Sequence, residues 1–440
     1  MQNLELIDGI SHWQVVTAVV LFLLTYAFII TEKLNRAVTA LLGALLMVVF
    51  GIVDIQTAYT KHIAWETIFL LVGMMILVGI TNKTGIFQYA AVKAAQLAKG
   101  NPVRILIYLT TITAFASAFL DNVTTVLLIV PVTFSITRIL KINPLPFLIS
   151  EIIASNVGGT ATLIGDPPNI MIGTANRHLS FNDFILNLGP VIFIIMIVSL
   201  IFLVQVFKKQ LFVEDDRKRI LMELQAAEYI TDKTLMIKSL AVLLLTIAGF
   251  TLHSTLHVEA AVIAIAGATL LMLIGVKDQE IEEVFDSVEW VTIFFFAGLF
   301  VLVGGLSDAG IISSIAAKMI SITEDNMSLM AMLVLWLSGI ASATIDNIPF
   351  VATMIPLIQD MGLQLGMQPE QLNPVWWSLA LGACLGGNGT LIGASANVVV
   401  AGLALREGYK LSYMSFLKIG GIVTLISLVI STVYVLIFLL

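Results

Sequence analysis

Two short stretches each place a carboxylate and an amide inside a long apolar run: Asp121-Asn122-Val123-Thr124-Thr125 and Asp346-Asn347-Ile348-Pro349-Phe350. They lie 225 residues apart (121 to 346), and the prolines ten residues further on, Pro131 and Pro356, keep that spacing. A charge at membrane depth costs roughly 3 kcal/mol or more, and a serine would cap a helix at less expense. Two such acids at matching points therefore suggest a site for a cation or a proton. The plainer alternative makes Asp121 and Asp346 N-caps of the helices they begin, with Asn122 and Asn347 satisfying loop backbone.

A second repeated pair supplies neutral oxygens. Gly158-Gly159-Thr160-Ala161-Thr162-Leu163-Ile164-Gly165 is echoed by Gly386-Gly387-Asn388-Gly389-Thr390-Leu391-Ile392-Gly393. The glycines let backbone carbonyls and amides face a ligand, and the ends of a broken helix bring oriented dipoles. Thr160, Thr162, Asn388 and Thr390 add side-chain oxygens, and Thr124 adds one beside the first aspartate. Such sets suit hard cations, so Na+ is a candidate at Asp121/Asn122 and at Asp346/Asn347. Close helix packing would also explain the glycines, and bonding to their own helix the threonines.

Asn169 and Asn397 extend the repeat at a spacing of 228 (169 to 397). At that spacing Asp166 aligns with Ala394 and Glu151 with Leu379, so the first half carries two acids with no counterpart. The plain alternatives are a turn cap before Pro167-Pro168 for Asp166 and a helix start near the interface for Glu151. Asp121, Asp346, Asp166 and Glu151 are the candidates for proton coupling. The predicted core holds these four acids and no Lys or Arg, whereas an anion pocket calls for a base or its substitute, a helix N-terminus or bound Na+.

The elements that must position these residues follow from composition. Of 440 residues, 59 % are hydrophobic and 12 % charged, about half the charge of a soluble domain. Such a chain cannot cover its surface with polar groups and is expected to be an integral membrane protein. The first residues lack the basic stretch of a cleavable signal peptide, and the single cysteine, Cys384, excludes an intrachain disulfide. The apolar runs are continuous, so they predict helices rather than barrel strands. Clear spans fall at 14–31, 35–52, 66–81, 186–207, 235–253, 258–276, 290–306 and 416–439. Residues 103–140 and 328–361 read as re-entrant hairpins turning at the aspartates. Residues 145–175 and 374–404 read as helices broken near the midplane.

Each half then crosses five times, and an odd number inverts the second copy relative to the first. With the N-terminus outside, 19 of the 22 basic residues fall inside and only Lys61, Arg177 and Lys318 outside, as positive-inside topology demands. The fold expected is an all-α polytopic membrane protein of two inverted five-helix repeats with both termini outside a bacterial-type inner membrane. The first repeat is 1–207 (scaffold 1–100, transport part 103–207). A cytoplasmic linker spans 208–234. The second repeat is 235–440 (scaffold 235–325, transport part 328–440).

No HExxH motif or Cys/His cluster suggests a metal enzyme, and Leu163-Ile164 before Gly165-Asp166 is not the Gly-x-Gly of an intramembrane aspartyl protease. Paired glycine breaks in inverted repeats suit alternating access better than a channel.

The four segments Asp121–Thr133, Gly158–Asn169, Asp346–Pro356 and Gly382–Val399 resemble the signature segments of the ion transporter superfamily. That superfamily includes arsenite permeases, NhaD-type Na+/H+ antiporters and citrate and dicarboxylate carriers, and the likeness is greatest to the melanosomal P protein group. The resemblance implies a homodimer with a scaffold domain and an elevator-type transport domain. In dicarboxylate carriers of the superfamily a Ser-Asn-Thr motif stands at each hairpin tip and helix break and binds Na+ and carboxylate. Here aspartate replaces that serine at the tips, which favours cation or proton coupling. The function expected is cation/H+ antiport, with Na+ or H+ as coupling ion and no other cofactor, and without a nucleic-acid partner. The alternatives are efflux of neutral arsenite or antimonite, coupled uptake of an organic anion, and a channel.

Overall fold

The computed structural model describes residues 11–31 and 33–440; the expected placement of the N-terminus concerns residues outside that set. Among the described residues every regular element is helical. The first half runs α1 (His12–Thr31), α2 (Arg36–Val49), the short α3 (Ile55–Thr57), α4 (Trp65–Asn82), α5 (Ile86–Leu97), α6 (Pro102–Ser117), α7 (Asn122–Leu140), α8 (Leu145–Gly159), α9 (Pro167–Ala175) and α10 (Phe181–Phe207). After the linker helix α11 (Asp215–Met222) the same succession returns. It runs α12 (Lys233–Leu256), α13 (Ala260–Gly275), the short α14 (Ile281–Phe285), α15 (Trp290–Asp308), α16 (Ile311–Thr323), α17 (Met327–Thr344), α18 (Asn347–Gln364), α19 (Asn373–Gly386), α20 (Ser395–Arg406) and α21 (Tyr413–Tyr434).

Local chemistry sets many of these boundaries in matching pairs. Asn101, followed by Pro102, caps α6 by accepting from the Val103 and Arg104 amides at 3.1 Å each, and Asn326 caps α17 through Leu329. Gly85 and Gly310 take left-handed φ values of 77° and 72° just before α5 and α16, a conformation side chains disfavour. A Cβ on Gly85 would also lie 1.8 Å from the Tyr229 carbonyl of the linker. Pro131 and Pro356 lie inside α7 and α18 and interrupt their backbone ladders.

Helices pair across the halves as well as within them. α4 packs on α13 and α2 on α15, while α6 packs on α8 and α17 on α19. The buried set surrounds these contacts and includes Trp376, Phe147, Phe181, Phe184, Phe295 and Phe296. Among the described residues, eight helices are long and apolar enough to cross a membrane: α1, α4, α7, α10, α12, α15, α17 and the C-terminal α21 with its extension to Leu439. α2 and α13, read from sequence as clear spans, are shorter apolar helices of 14 and 16 residues. Two amphipathic helices that the apolar runs do not predict, α5 and α16, precede the hairpins. Each buries one face, α5 against α6, α7 and the linker segment 226–229, and α16 against α15, α17 and α18.

Candidate functional site

Asp121 and Asp346 stand where α7 and α18 begin, and both are N-caps. Asp121 Oδ1 accepts from the Thr124 amide at 2.8 Å, and its other oxygen accepts from the Thr124 hydroxyl. Asp346 Oδ1 accepts from the Ile348 amide at 3.1 Å. Asp121 thus turns both oxygens to Thr124, whereas capping takes one oxygen of Asp346 and leaves Oδ2 to face what lies beyond the tip.

The glycine-containing breaks are the non-helical segments 160–166 and 387–394. Asn169 donates to the Thr160 and Thr162 carbonyls (3.0 and 2.9 Å), and Asn397 donates to the Gly387 and Thr390 carbonyls (2.7 and 2.9 Å). Each asparagine therefore clasps the break of its own half, which leaves fewer break carbonyls for a ligand. Thr162 donates to the Ala118 carbonyl and Thr390 to the Ala343 carbonyl (2.6 Å), tying each break to its hairpin turn. Thr160 bonds back to the Asn156 carbonyl of its own helix at 2.7 Å. The glycines are needed for contact: a Cβ on Gly158 would lie 2.0 Å from the Ala114 carbonyl, one on Gly159 2.4 Å from the Gly165 carbonyl, and one on Gly386 2.5 Å from the Gly339 carbonyl. Gly387 meets Ala394 Cβ less tightly, at 3.1 Å.

The two tips converge. Asn122 Nδ2 lies 3.3 Å and Asn347 Nδ2 3.5 Å from the same atom, Asp166 Oδ1. Asp166 is fully buried, and its Oδ2 has no hydrogen-bond partner among the described residues. A cavity of about 20 Å³, enough for one water-sized ion or molecule, is lined by Asp121, Asn122, Asp166, Asn347 and Ser395. The two half-sites expected from sequence thus share one carboxylate.

Several residues of this centre escaped the sequence reading. Asn156 accepts from Asn122 (3.1 Å) and donates to Asn388 and Asn397 (2.9 Å each), joining the halves. Its counterpart at the 228 spacing is Cys384, whose thiol donates to Asn169 Oδ1 at 3.6 Å; the repeat itself could have revealed the pair. The expectation of a base-free core is corrected. Arg36, at the start of α2, lines the cavity and places Nη1 2.5 Å from Ser395 Oγ and 3.4 Å from Asp346 Oδ2. A base flanking an apolar run reads as an interfacial charge, and only the packing of α2 against α15 carries it to the hairpin tip. Glu289 lines the same cavity and accepts from Thr292 at 3.0 Å. Glu151 lies apart: it is not a helix start but sits within α8, fully buried, accepting from Thr133 at 2.5 Å.

A second gap lies between α4 and α15 on one side and α9 and α18 on the other. It has a volume of about 590 Å³ and is bounded by Glu66 and Thr67 of α4, Thr174 of α9, Ser307 of α15, and Ala352 and Gln359 of α18. The gap at the α4 start is thus wide, and the gap at the α15 start is nearly closed.

With eight membrane-length apolar helices and no strand among the described residues, folded around buried polar groups at two helix breaks, the chain is an integral membrane protein with a transporter fold. Residues 26–382 match the citrate transporter family, and the chain belongs to it. It is 44 % identical over 422 residues to an uncharacterized transporter of Mycobacterium tuberculosis, covering 95 % of this chain and 97 % of that one. It is 36 % identical over 508 residues to the P protein of Mus musculus, covering 96 % of this chain and 60 % of the mouse protein. The YdaH transporter of Alcanivorax borkumensis superposes with a TM-score of 0.59 over 97 % of this chain and 98 % of that one, at 13 % identity, a likeness of fold alone.

Proposed function

We propose that the chain is a secondary active transporter exchanging Na+, or a similar monovalent cation, for protons across a bacterial-type inner membrane. The observation that carries this reading is Asp166. A fully buried carboxylate oxygen without a donor is costly unless a cation or a proton sits on it. Asp121 and the side-chain oxygens of Asn122 and Asn347 are at hand to complete an oxygen shell of the kind hard cations take. In proteoliposomes of the unsubstituted chain, a Na+ gradient is expected to drive proton flux, and Asp166→Asn is expected to abolish it. Flux at the unsubstituted rate in a folded Asp166→Asn protein sinks the assignment.

The repeated succession of helices supports an inverted pair of five-crossing halves, and the 19-to-3 split of basic residues supports a C-terminus outside. The gap between α2, α4, α13 and α15 on one side and α7 to α9 and α18 to α20 on the other supports an elevator-type division, in which the second group carries the site past the first. Homodimerisation through the first group is part of the same reading.

A second reading has a specific observation behind it. Arg36 gives the cavity a guanidinium, the usual partner of a carboxylate, and the family is that of citrate transport. Coupled transport of an organic anion is therefore the competitor. Stimulation of Na+ or H+ uptake by citrate or a dicarboxylate, absent without it, would favour it over plain exchange.

A further inference from the structure

The two hairpin tips repeat in sequence, but their surroundings do not. Around Asp346, Ser395 Oγ stands 2.8 Å from the carboxylate and 2.5 Å from Arg36 Nη1, so the hydroxyl bridges acid and base. Arg36 Nη2 is 3.3 Å from Thr292 Oγ1, and its guanidinium lies over the Phe295 ring at 5.3 Å. Four contacts thus hold one side chain, two of them on α15 and two on the α18–α20 side. Neither part of this device has a repeat-related equivalent at the first tip. Ser395 corresponds to Pro167 at the 228 spacing, and Arg36, the first residue of α2, corresponds to Ala260, the first residue of α13. Among the described residues, none of the ion pairs involves Asp121 or Asp166.

We propose that Arg36 is the resident cation of the second hairpin tip: it neutralises Asp346 from the neighbouring α2–α15 pair, holds the narrow gap shut, and leaves Asp121 and Asp166 as the place for one exchangeable cation. A tethered guanidinium needs no concentration to occupy its carboxylate, so a free monovalent cation competes poorly for Asp346 while the tip stays docked. Asp166, whose second oxygen has no hydrogen-bond partner among the described residues, lines the same cavity. Any movement of α18 and α20 along α2 must break the bridge through Ser395. The Tyr26 hydroxyl, donating to the Pro349 carbonyl at 2.6 Å from α1, marks the same boundary without a charge. The single-cation part of this inference rests on the cation-exchange reading; the docking part does not.

Two measurements on the full-length chain test it. Cys384 is fully buried, so an introduced cysteine is the accessible thiol. R36Q is expected to raise maleimide labelling of Met75→Cys, in the narrow gap, several-fold and to lower labelling of Ser307→Cys, in the wide one; R36K stays near the unsubstituted pattern. A mere hole at position 36 would raise the first without lowering the second. In proteoliposomes, Na+-driven proton flux should depend hyperbolically on Na+ in the unsubstituted protein and sigmoidally in R36Q, whose Asp346 is open to a second cation. Unchanged labelling at Ser307→Cys, or a sigmoidal dependence already in the unsubstituted protein, overturns the assignment. Absence of Na+-dependent flux from the unsubstituted protein refutes the exchange reading instead, and the labelling pair still decides the role of Arg36. Should R36Q not fold, Ser395→Ala removes the bridge and is expected to give the same labelling shift.

Discussion

Asp166 and Glu151 are both buried acids of the first half, yet their surroundings separate them. Asp166 meets Asn122 and Asn347 at the cavity, while Glu151 is held by Thr133 within the packing of α8 on α7. Glu151→Gln is therefore expected to keep ion-driven flux near the unsubstituted rate in the assay that Asp166→Asn fails, because an amide still accepts from Thr133. Loss of flux in both would place Glu151 on the proton path. Asn156 presents a different case, since it does not line the tip cavity but joins Asn122 to Asn388 and Asn397. Removing its amide leaves buried partners unpaired, each costing about 1–3 kcal/mol. Asn156→Ala should accordingly lower the thermal unfolding midpoint and weaken cation affinity together. A change in flux with an unaltered midpoint would show that the network carries ions rather than shape. The aspartates at the tips and the acid before the paired prolines were legible because charge inside apolar sequence is rare. Asn156 was not, because one amide before a glycine pair resembles ordinary helix-end polarity.

At the scale of the element, the two breaks are held open by the same devices in both halves. Asn169 and Asn397 clasp break carbonyls, and Ser117 and Ser342 donate to the Ser155 and Ala383 carbonyls at 2.7 and 2.6 Å. Glycines then allow the hairpin arms to touch the breaks backbone to backbone. Gly158→Ala would drive a Cβ against the Ala114 carbonyl, which cannot swing aside as a side chain can. Overpacking of this kind costs about 1–3 kcal/mol, so the variant should unfold at lower temperature than Gly402→Ala, whose added methyl meets nothing within 4 Å. Equal unfolding midpoints would show that α6 and α8 slide apart freely. Sequence alone allows packing or ligand exposure as the role of the glycines; the close approaches show the packing role directly. The hairpins and breaks could be read in advance because capping acids, glycines and prolines act locally. The amphipathic α5 and α16 could not, since their partner faces belong to several other elements, chiefly α6 and α7 for α5 and α18 for α16.

For the whole molecule, the two gaps differ in width, about 590 Å³ against about 20 Å³. If one gap is the open path and the other the closed one, a thiol at Ser307→Cys should react with a membrane-impermeant maleimide faster than one at Met75→Cys, and a saturating substrate should shift the ratio. Equal rates that no ligand alters would mean the gaps do not alternate. Sequence by itself determined the membrane class, the doubled succession of helices, the hairpin tips and the breaks, because hydropathy, spacing and charge sidedness act along the chain. Only the tertiary structure decided that Asn122 and Asn347 meet on one carboxylate, that Asn156 ties the halves together, and that Arg36 reaches the second tip. Those are contacts between residues 34 to 310 positions apart, and no local preference encodes which faces of two helices will meet once the chain is packed.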